Sequence, residues 1–405
     1  MKWNQWLLAG VVGGQFLIPR GAADETNRAL NLKGIVQVDS RTFLNGSPAR
    51  VGSEGFLVRR ARPSLEGAPF QDLALVFIPD FGGTRPPTIF DAYLNYRYEP
   101  ALQLRIGRSK TPVGYEQSVE DRNLLFNERS LVTDLVPNRD VGLQLWGDVA
   151  EGVLSYAVGL FDGAGDARIS SAGPLAAPTT VAGRLFLQPL RWSGGALWSG
   201  LAFGAAGSCG SGSHTADGLP NNHGFTTDGQ RLFFVYTKGL EAHGPHARLS
   251  PQATYTWGPF GLLAEGALSA QRAALPAATR DLQNTAWQVS AQWVLTGEAA
   301  SLSGITPRRP FSFHGGAWGA WQFVARYGAL AVDPAAFPVF ADPTLSARRA
   351  AAWSVGLNWW VNQDVRVLTS FSRTGFDTGP RRVAAPPLAA RPPESVLLTR
   401  VQLAF

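Results

Sequence analysis

The chain has 405 residues, with 36 Lys and Arg against 30 Asp and Glu, for a net charge of +6. Only 16% of its residues are charged, below the roughly 25% of an ordinary soluble domain, which argues against a fully hydrated surface. No stretch approaches the ~18 uninterrupted apolar residues of a membrane helix, so a helical membrane protein is excluded as well.

Low charge, 13 Trp and 23 Phe suit a membrane β-barrel, whose strands each carry a weak signal. Cys209 is the only cysteine, so neither an intrachain disulfide nor a cysteine-built zinc site is available. Apart from Lys2, Lys33, Lys110 and Lys238, the basic residues are all Arg. No basic run carries the interleaved aromatics of a nucleic-acid binder, and no nucleic-acid partner is expected.

The chain opens ambiguously. Lys2 followed by apolar Trp6–Val12 resembles an export-signal core, and Gly21-Ala22-Ala23 a cleavage region. Two glycines and Gln15 interrupt that core, and Arg20 sits where small residues are expected. Residues 1–28 are therefore read as a signal remnant or a periplasmic start, and 29–405 as a single barrel.

From about Lys33 onward, apolar and polar residues alternate with the two-residue period of a strand. In Gly34–Thr42, Val36 and Val38 oppose Gln37, Asp39 and Arg41. Phe56–Gly67 sets Leu57, Ala61 and Leu65 against Arg60, Arg62, Ser64 and Glu66, and Asp72–Phe81 aligns Leu73, Leu75, Phe77 and Phe81. Thr88–Glu99 is the cleanest, with Phe90, Ala92, Leu94, Tyr96 and Tyr98 opposite Asp91, Tyr93, Asn95 and Arg97. After the Glu99-Pro100 turn, Leu102, Leu104 and Ile106 alternate with Gln103 and Arg105.

Ser109–Asn138 breaks the pattern. Roughly thirty charge-rich residues without a period make a loop of the length that is usually functional or disordered. Two strands, RDVGLQLWGD and EGVLSYAVGLF, then form a hairpin. Further segments are Val181–Leu190, Gly200–Ala206, Gln230–Thr237, Ala247–Trp257 and Gly261–Ala270, followed by the Trp-rich Trp287–Leu295, Trp318–Tyr327 and Trp353–Val361. Val365, Val367 and Phe371 then oppose Arg366, Ser370 and Ser372. In Ser395–Phe405, Leu397, Thr399, Val401, Leu403 and Phe405 share one face, and Leu398, Arg400, Gln402 and Ala404 the other. So apolar an edge strand invites aggregation unless it is paired or covered, and barrel closure removes the edge.

These segments number about sixteen, with one to spare, and each runs about ten residues, the length of a tilted membrane strand. Short connections (Asn362-Gln363; Gly147–Gly152) alternate with long ones (Ser208–Gly229, Gly297–Gly315, Ala329–Arg349, Asp377–Glu394), which predicts turns at one end and loops at the other. The expected class is all-β: a transmembrane antiparallel β-barrel of sixteen strands.

The sequence resembles the phosphate-selective porins O and P of Gram-negative outer membranes from about Gly34 to Phe405. The pieces that carry this are VRRARPSLEG at Val58–Gly67, FDAYLNYRY at Phe90–Tyr98, LRIGRSKTPVGYEQ at Leu104–Gln117, FNERSL at Phe126–Leu131, VLTGE at Val294–Glu298, GLNWWVNQDVRV at Gly356–Val367 and the terminal RVQLAF. The resemblance implies a water-filled porin in outer-membrane lipid, trimeric and without a cofactor, whose long loop folds into the lumen as a constriction. It places Arg122 where phosphate-selecting members carry a basic loop residue, with Lys110 opening the same region.

In such a barrel the face opposite the apolar one lines the lumen. That parity puts Lys33, Arg41, Arg60, Arg62, Arg97, Arg105, Arg184, Arg326, Arg366 and Arg400 inside, and Arg59 outside unless a bend frees it. The anion-pathway candidates are Arg60, Arg62, Arg97, Arg105, Lys110, Arg122, Arg326 and Arg366. Rings of Arg attract anions, and the planar guanidinium suits phosphate or carboxylate oxygens. The competing reading is that they pair with lumen acids such as Asp39, Glu66 and Asp91 and brace the wall. In the loop, Glu116, Glu120, Asp121, Glu128 and Asp134 surround the basic pair, which phosphate would not favour.

The five histidines (His214, His223, His243, His246 and His314) lie in or beside loop-like stretches and are read as solvated rather than metal-bound. No nucleophile–base pair or glycine-elbow serine suggests an enzyme. The expected function is passive diffusion of small hydrophilic solutes, with anions, phosphate or polyphosphate among them, favoured by the lumen arginines. The alternative is a non-conducting structural or binding barrel blocked by its loop, and a third reading is a soluble all-β protein.

Overall fold

The computed structural model describes residues 30–44, 54–70, 72–83, 86–164, 166, 180–193, 197–211, 214–215, 224–377 and 391–405. The segment 1–28 lies outside them, as do parts of the connections Ser208–Gly229 and Asp377–Glu394.

Among the described residues sixteen strands form the wall, and the two-residue strand His214–Thr215 adds to the same sheet beside Glu241 and Ala242. The sixteen begin with β1 (Leu30–Phe43), β2 (Gly55–Phe70), β3 (Leu73–Asp80), β4 (Thr88–Glu99), β5 (Leu102–Lys110), β6 (Arg139–Val149), β7 (Leu154–Phe161) and β8 (Thr180–Leu187). The second half comprises β9 (Leu201–Ser211), β10 (Glu241–Trp257), β11 (Phe260–Leu275), β12 (Ala278–Val294), β13 (Ala320–Ala331), β14 (Arg349–Trp360), β15 (Val365–Asp377) and β16 (Glu394–Ala404). Each pairs antiparallel with its chain neighbours, and β16 closes on β1 from Ile35 opposite Ala404 to Phe43 opposite Val396. Gly34 and Phe405 exchange both backbone hydrogen bonds at that seam (2.9 and 3.0 Å). The terminal strand thus has no free edge.

The barrel is inside-out relative to a soluble fold. In β1, Gln37 and Asp39 are 0% and 1% exposed, whereas Val36 and Val38 are each 39% exposed. The period of two carries the same contrast round the wall and leaves an apolar outer surface for lipid. Aromatic pairs decorate that surface, including the stacked rings of Trp321 and Trp359, directly opposite across β13 and β14 with centroids 5.5 Å apart.

Three expectations need correction. Gln230–Thr237 is not a wall strand: Leu232–Val235 pairs with Gly224–Thr226 in a separate two-stranded sheet. Its consecutive Phe233 and Phe234 are both fully buried, because the hairpin is covered on both faces and neither faces lipid. The long loop starts at 111, since Ser109 and Lys110 complete β5 in register with Asp140 and Arg139. Finally, long and short connections do not segregate cleanly. The connection 295–319 lies at the end with the short turns 100–101, 150–153, 258–259 and 361–364, while the opposite end holds the two-residue link between β11 and β12.

Apolar packing inside the barrel joins three inward segments. Val113, Val132, Leu135 and Val136 of the β5–β6 loop pack with Phe225, Phe233, Phe234 and Tyr236 of the β9–β10 connection and with Phe340 and Ala347 from between β13 and β14. This core holds the long loop against the wall.

Candidate functional site: the arginine belt around the inner loop

The β5–β6 loop, residues 111–138, crosses the lumen. One short helix (Tyr115–Ser118) and two 3-10 turns (Asp121–Asn123 and Leu131–Leu135) interrupt it. Thr111 Oγ1 donates to the Pro137 carbonyl (3.1 Å) and closes its base. So compact a loop leaves backbone groups unpaired, and wall side chains satisfy them. The Glu265 carboxylate of β11 accepts from the amides of Tyr115 (2.6 Å) and Glu116 (3.1 Å). Gln252 donates to the Val113 carbonyl (2.6 Å), Asn358 to that of Leu125 (2.9 Å), and Lys110 to those of Ser118 (3.0 Å) and Val119 (2.8 Å).

The acids of the loop meet the arginines of the wall. Glu116 accepts from Ser130 (2.6 Å), Gln288 (2.9 Å) and Arg326 (3.3 Å). Asp121 meets Arg60 (3.4 Å), Arg62 and Arg129 (2.6 Å). Glu128 takes a two-point bond from Arg59 (2.6 and 3.0 Å) and lies 3.4 Å from both Arg41 and Arg400. Burial alone would raise the carboxyls of Asp121 and Glu128, but the surrounding arginines outweigh it and hold both below the usual carboxylate range. Asp134 behaves in the opposite way. Burial, reinforced by the nearby charges of Asp228 and Asp166, pushes it up to about 8 despite the hydrogen bond it accepts from the Thr226 amide.

Each basic residue singled out in the sequence has a definite place. Arg60 donates to Gln37 (2.7 Å), and Arg62 bonds Asp80 (2.8 Å) as well as Asp121. Arg326 pairs with Glu116 and Asp228 (2.9 Å). Arg105 lies over the rings of Tyr93 (4.6 Å) and Trp146 (5.0 Å), and Arg366 over that of Trp360 (4.1 Å). Arg366 also donates to the Arg122 carbonyl (3.2 Å). The Arg122 side chain is half exposed (51%) and bonds Glu120 (2.7 Å). Arg97 follows the lumen parity of β4 and is partly buried. Register ties several of these together: Arg60, Gln37, Gln402, Arg366 and Trp360 are successive cross-strand partners on β2, β1, β16, β15 and β14.

Wall-bracing pairs are present as well. Arg400 grips Asp39 with two bonds (2.6 and 2.7 Å), Lys33 pairs with Glu66 (3.0 Å), and Arg139 pairs with Asp91 (2.9 and 3.1 Å). Sequence reasoning missed Arg139 and Arg129, and it put Arg59 outside unless a bend freed it. The register explains Arg59. Gln37 pairs with Arg60 and Val38 with Val58, so Arg59 is the extra residue of a β-bulge and turns inward to Glu128. The signal was there in principle, since an arginine on the lipid face costs about 2–4 kcal/mol near the midplane.

His246 belongs to β10, where it contacts Ser269 (2.9 Å). Among the described residues no group of three or more His, Cys, Asp or Glu is arranged to hold a metal ion.

Residues 30–404 match the family model described as phosphate-selective porin O and P. The chain belongs to the phosphate-selective porin O and P family. It is a channel of the Gram-negative outer membrane, not an enzyme. Among solved structures it is similar to the outer membrane channel DcaP of Acinetobacter baumannii (TM-score 0.57, 10% identity, 95% of this chain and 99% of that one). It is also similar to an anion-selective porin from Comamonas acidovorans (0.54, 10%, 93% and 99%) and to the trimer form of OmpT from Vibrio cholerae (0.51, 10%, 93% and 99%). At these identities the likeness shows the fold. No curated protein matches the sequence.

Proposed function

We propose that this porin passes small hydrophilic solutes passively, favours anions, and assembles as a homotrimer. One observation carries the anion preference. Of the inner-loop carboxylates, Glu116, Asp121 and Glu128 are occupied by wall arginines, Glu120 pairs with Arg122 of the loop itself, and Asp134 is kept neutral near pH 7 by burial. By contrast Arg105, Arg184 and Arg366 face the lumen with no carboxylate oxygen within 4.0 Å among the described residues; their partners are rings, hydroxyls and carbonyls. Unbalanced positive charge in a narrow low-dielectric passage attracts anions and repels cations. The acidic composition of the loop is therefore a poor guide to the field a solute meets. Arg122, outside that set, is half exposed and pairs with Glu120 (2.7 Å), so a phosphate or other oxyanion would bind it by displacing that carboxylate.

The solved neighbours described as anion-selective and as trimeric agree with this reading. A second reading, a barrel that does not conduct, draws on the inward packing of three connections.

The test is the reversal potential of the detergent-purified protein in a planar bilayer under a salt gradient. Anion preference, weakened by Arg122→Ala and Arg105→Gln, supports the proposal, and block of chloride current by added phosphate extends it to oxyanions. Cation preference overturns the anion assignment. Absence of conductance selects the second reading.

A further inference from the structure

The connection 295–319 joins β12 to β13 by passing from the inside of the barrel to the outside. Its first half is internal: Ala300 and Ile305 pack with Val294, Ala320 and Trp360 on the inner face. Its second half crosses the rim, where the Phe311 amide donates to the Val361 carbonyl (2.8 Å). A short hairpin follows. Ser312 pairs with Ala317, its amide donating to the Ala317 carbonyl (3.0 Å), and the Gly315 amide donates to Ser312 Oγ (3.0 Å). Gly316 turns the tip with a φ of +62°, a conformation that favours glycine.

The hairpin is aromatic and lies against the lipid side of the wall. The Phe311 ring sits edge-on to those of Phe313 (4.7 Å) and Trp359 (5.3 Å) and lies 5.8 Å from that of Trp318. Trp359 Nε1 donates to the Trp318 carbonyl (2.7 Å), and Trp359 itself stacks on Trp321 across the outer surface. The rings therefore continue that surface instead of joining a core. Phe313 is 90% exposed and Trp318 66%. The charge around them has one sign: Arg308 and Arg309 lead into the hairpin, and no Asp or Glu occurs between Glu298 and Asp333. Among the described residues no carboxylate oxygen lies within 4.0 Å of Arg309.

We infer that Phe311–Trp318 is a foot seated in the headgroup zone of the membrane leaflet at this end of the barrel, with Arg309 on a phospholipid phosphate. Rings that are apolar in body, carried beside guanidinium groups with no acid among them, match the layered chemistry of that zone, where phosphate lies just outside the acyl chains. The long Arg side chain lets its charge stay at the phosphate level while its stem lies along apolar surface. A second copy of this chain would have to offer a hollow both apolar and acidic, whereas the leaflet supplies the match all round the wall. The foot fixes the depth of β13 and β14 in the membrane. It needs only the membrane placement of the barrel and holds whether or not the lumen conducts.

The test uses the full chain with Cys209→Ser and His314→Cys, which puts a single thiol at the tip and leaves every ring in place. An environment-sensitive fluorophore on that thiol is read in vesicles of phosphatidylcholine, with and without phosphatidylglycerol. Quenchers are iodide in the water and phosphatidylcholine brominated close to the headgroup. Heat-modifiable mobility on a denaturing gel confirms a folded barrel. The foot predicts blue-shifted emission, quenching by the brominated lipid and protection from iodide. Phe313→Ser should reverse all three, and a thiol at Ser312→Cys repeats the reading if His314→Cys does not fold. Phosphatidylglycerol should deepen the protection, and Arg309→Gln should abolish that gain. Quenching by iodide but not by lipid places the tip in water and overturns the inference. Protection from both quenchers places it against protein, as in a contact between copies, and overturns it equally. Lipid quenching that ignores phosphatidylglycerol overturns the role given to Arg309.

Discussion

Arg59 and Glu128 make a two-point ion pair between a bulged wall residue and the middle of the inner loop, with Nε to Oε1 at 2.6 Å and Nη2 to Oε2 at 3.0 Å. Glu128 also balances Arg41 and Arg400, so the two halves of the pair are not equivalent. Glu128→Gln leaves three guanidinium groups facing one another. It should cost about 3–5 kcal/mol in loop docking, seen as a lower heat-modifiability temperature and noisier single-channel current. Arg59→Ala removes one of several partners of Glu128 and should cost less. Equal effects of the two substitutions would contradict this placement.

Asp134 makes loop docking sensitive to pH. Its carboxyl titrates near 8 when the loop is docked, against roughly 3.9 when exposed to water. The docked form therefore retains a proton that the undocked form has released. The docking free energy is unaffected below about pH 4, weakens as pH rises from there to about 8, and is constant above. Channel noise should grow between pH 5 and pH 9, and Asp134→Asn should flatten that dependence. A noise level that falls over the same interval in wild type would refute the assignment.

Asp228 ties the β9–β10 connection to the far wall. A single oxygen of its carboxylate accepts from Arg326 (2.9 Å), Ser354 (2.7 Å) and Ser372 (2.8 Å). Asp228→Asn removes the charge and leaves Arg326 balanced by Glu116 alone. It should destabilise the barrel by about 3 kcal/mol and shift the reversal potential further toward anions. The combination of the two readouts separates lost charge from simple unfolding.

The inside-out wall is testable from its outer face. Leu104 of β5 is exposed among apolar neighbours, whereas Asn95, on the inner face of β4, is buried against Gln103 and Trp146. Leu104→Arg should weaken insertion into liposomes by about 2–4 kcal/mol if it lies near the midplane. Asn95→Ser should insert normally. Reversed outcomes would mean that the faces have been exchanged.

Residues whose environment is local were legible in the sequence. Thr88–Glu99 was bounded correctly, because Asp91–Arg97 keeps the period of two, but Phe90, expected on the lipid face, is buried beside Asp91 under the guanidinium groups of Arg62 and Arg139, where the register against β3 shifts. Gln230–Thr237 alternates less well and was still counted, because nothing in a short apolar run separates a wall strand from a hairpin buried on both faces. The connection 295–319 was recognised as long, but the end of the barrel to which it belongs depends on counting every earlier crossing. The wall arginines placed inside by parity all follow it, and Arg59, placed outside unless a bend freed it, is turned inward by its bulge. Their partners were not legible, since Arg400 and Asp39, or Arg326 and Glu116, meet only through barrel closure and loop insertion. For the same reason composition counts the loop carboxylates without showing that Glu116, Asp121 and Glu128 are each paired with wall arginines.

Arg400 serves two structures at once. It bonds Asp39 across the seam between β16 and β1, and it reaches Glu128 of the inner loop. Sealing the cylinder and seating its contents are thereby coupled in assembly. A nascent barrel with its first and last strands still apart has no complete cradle for Glu128, and a loop seated early has only part of its counter-charge. A molecule sealed around an empty lumen would leave Arg41 and Arg59 without the Glu128 carboxylate and should be rare among folding intermediates.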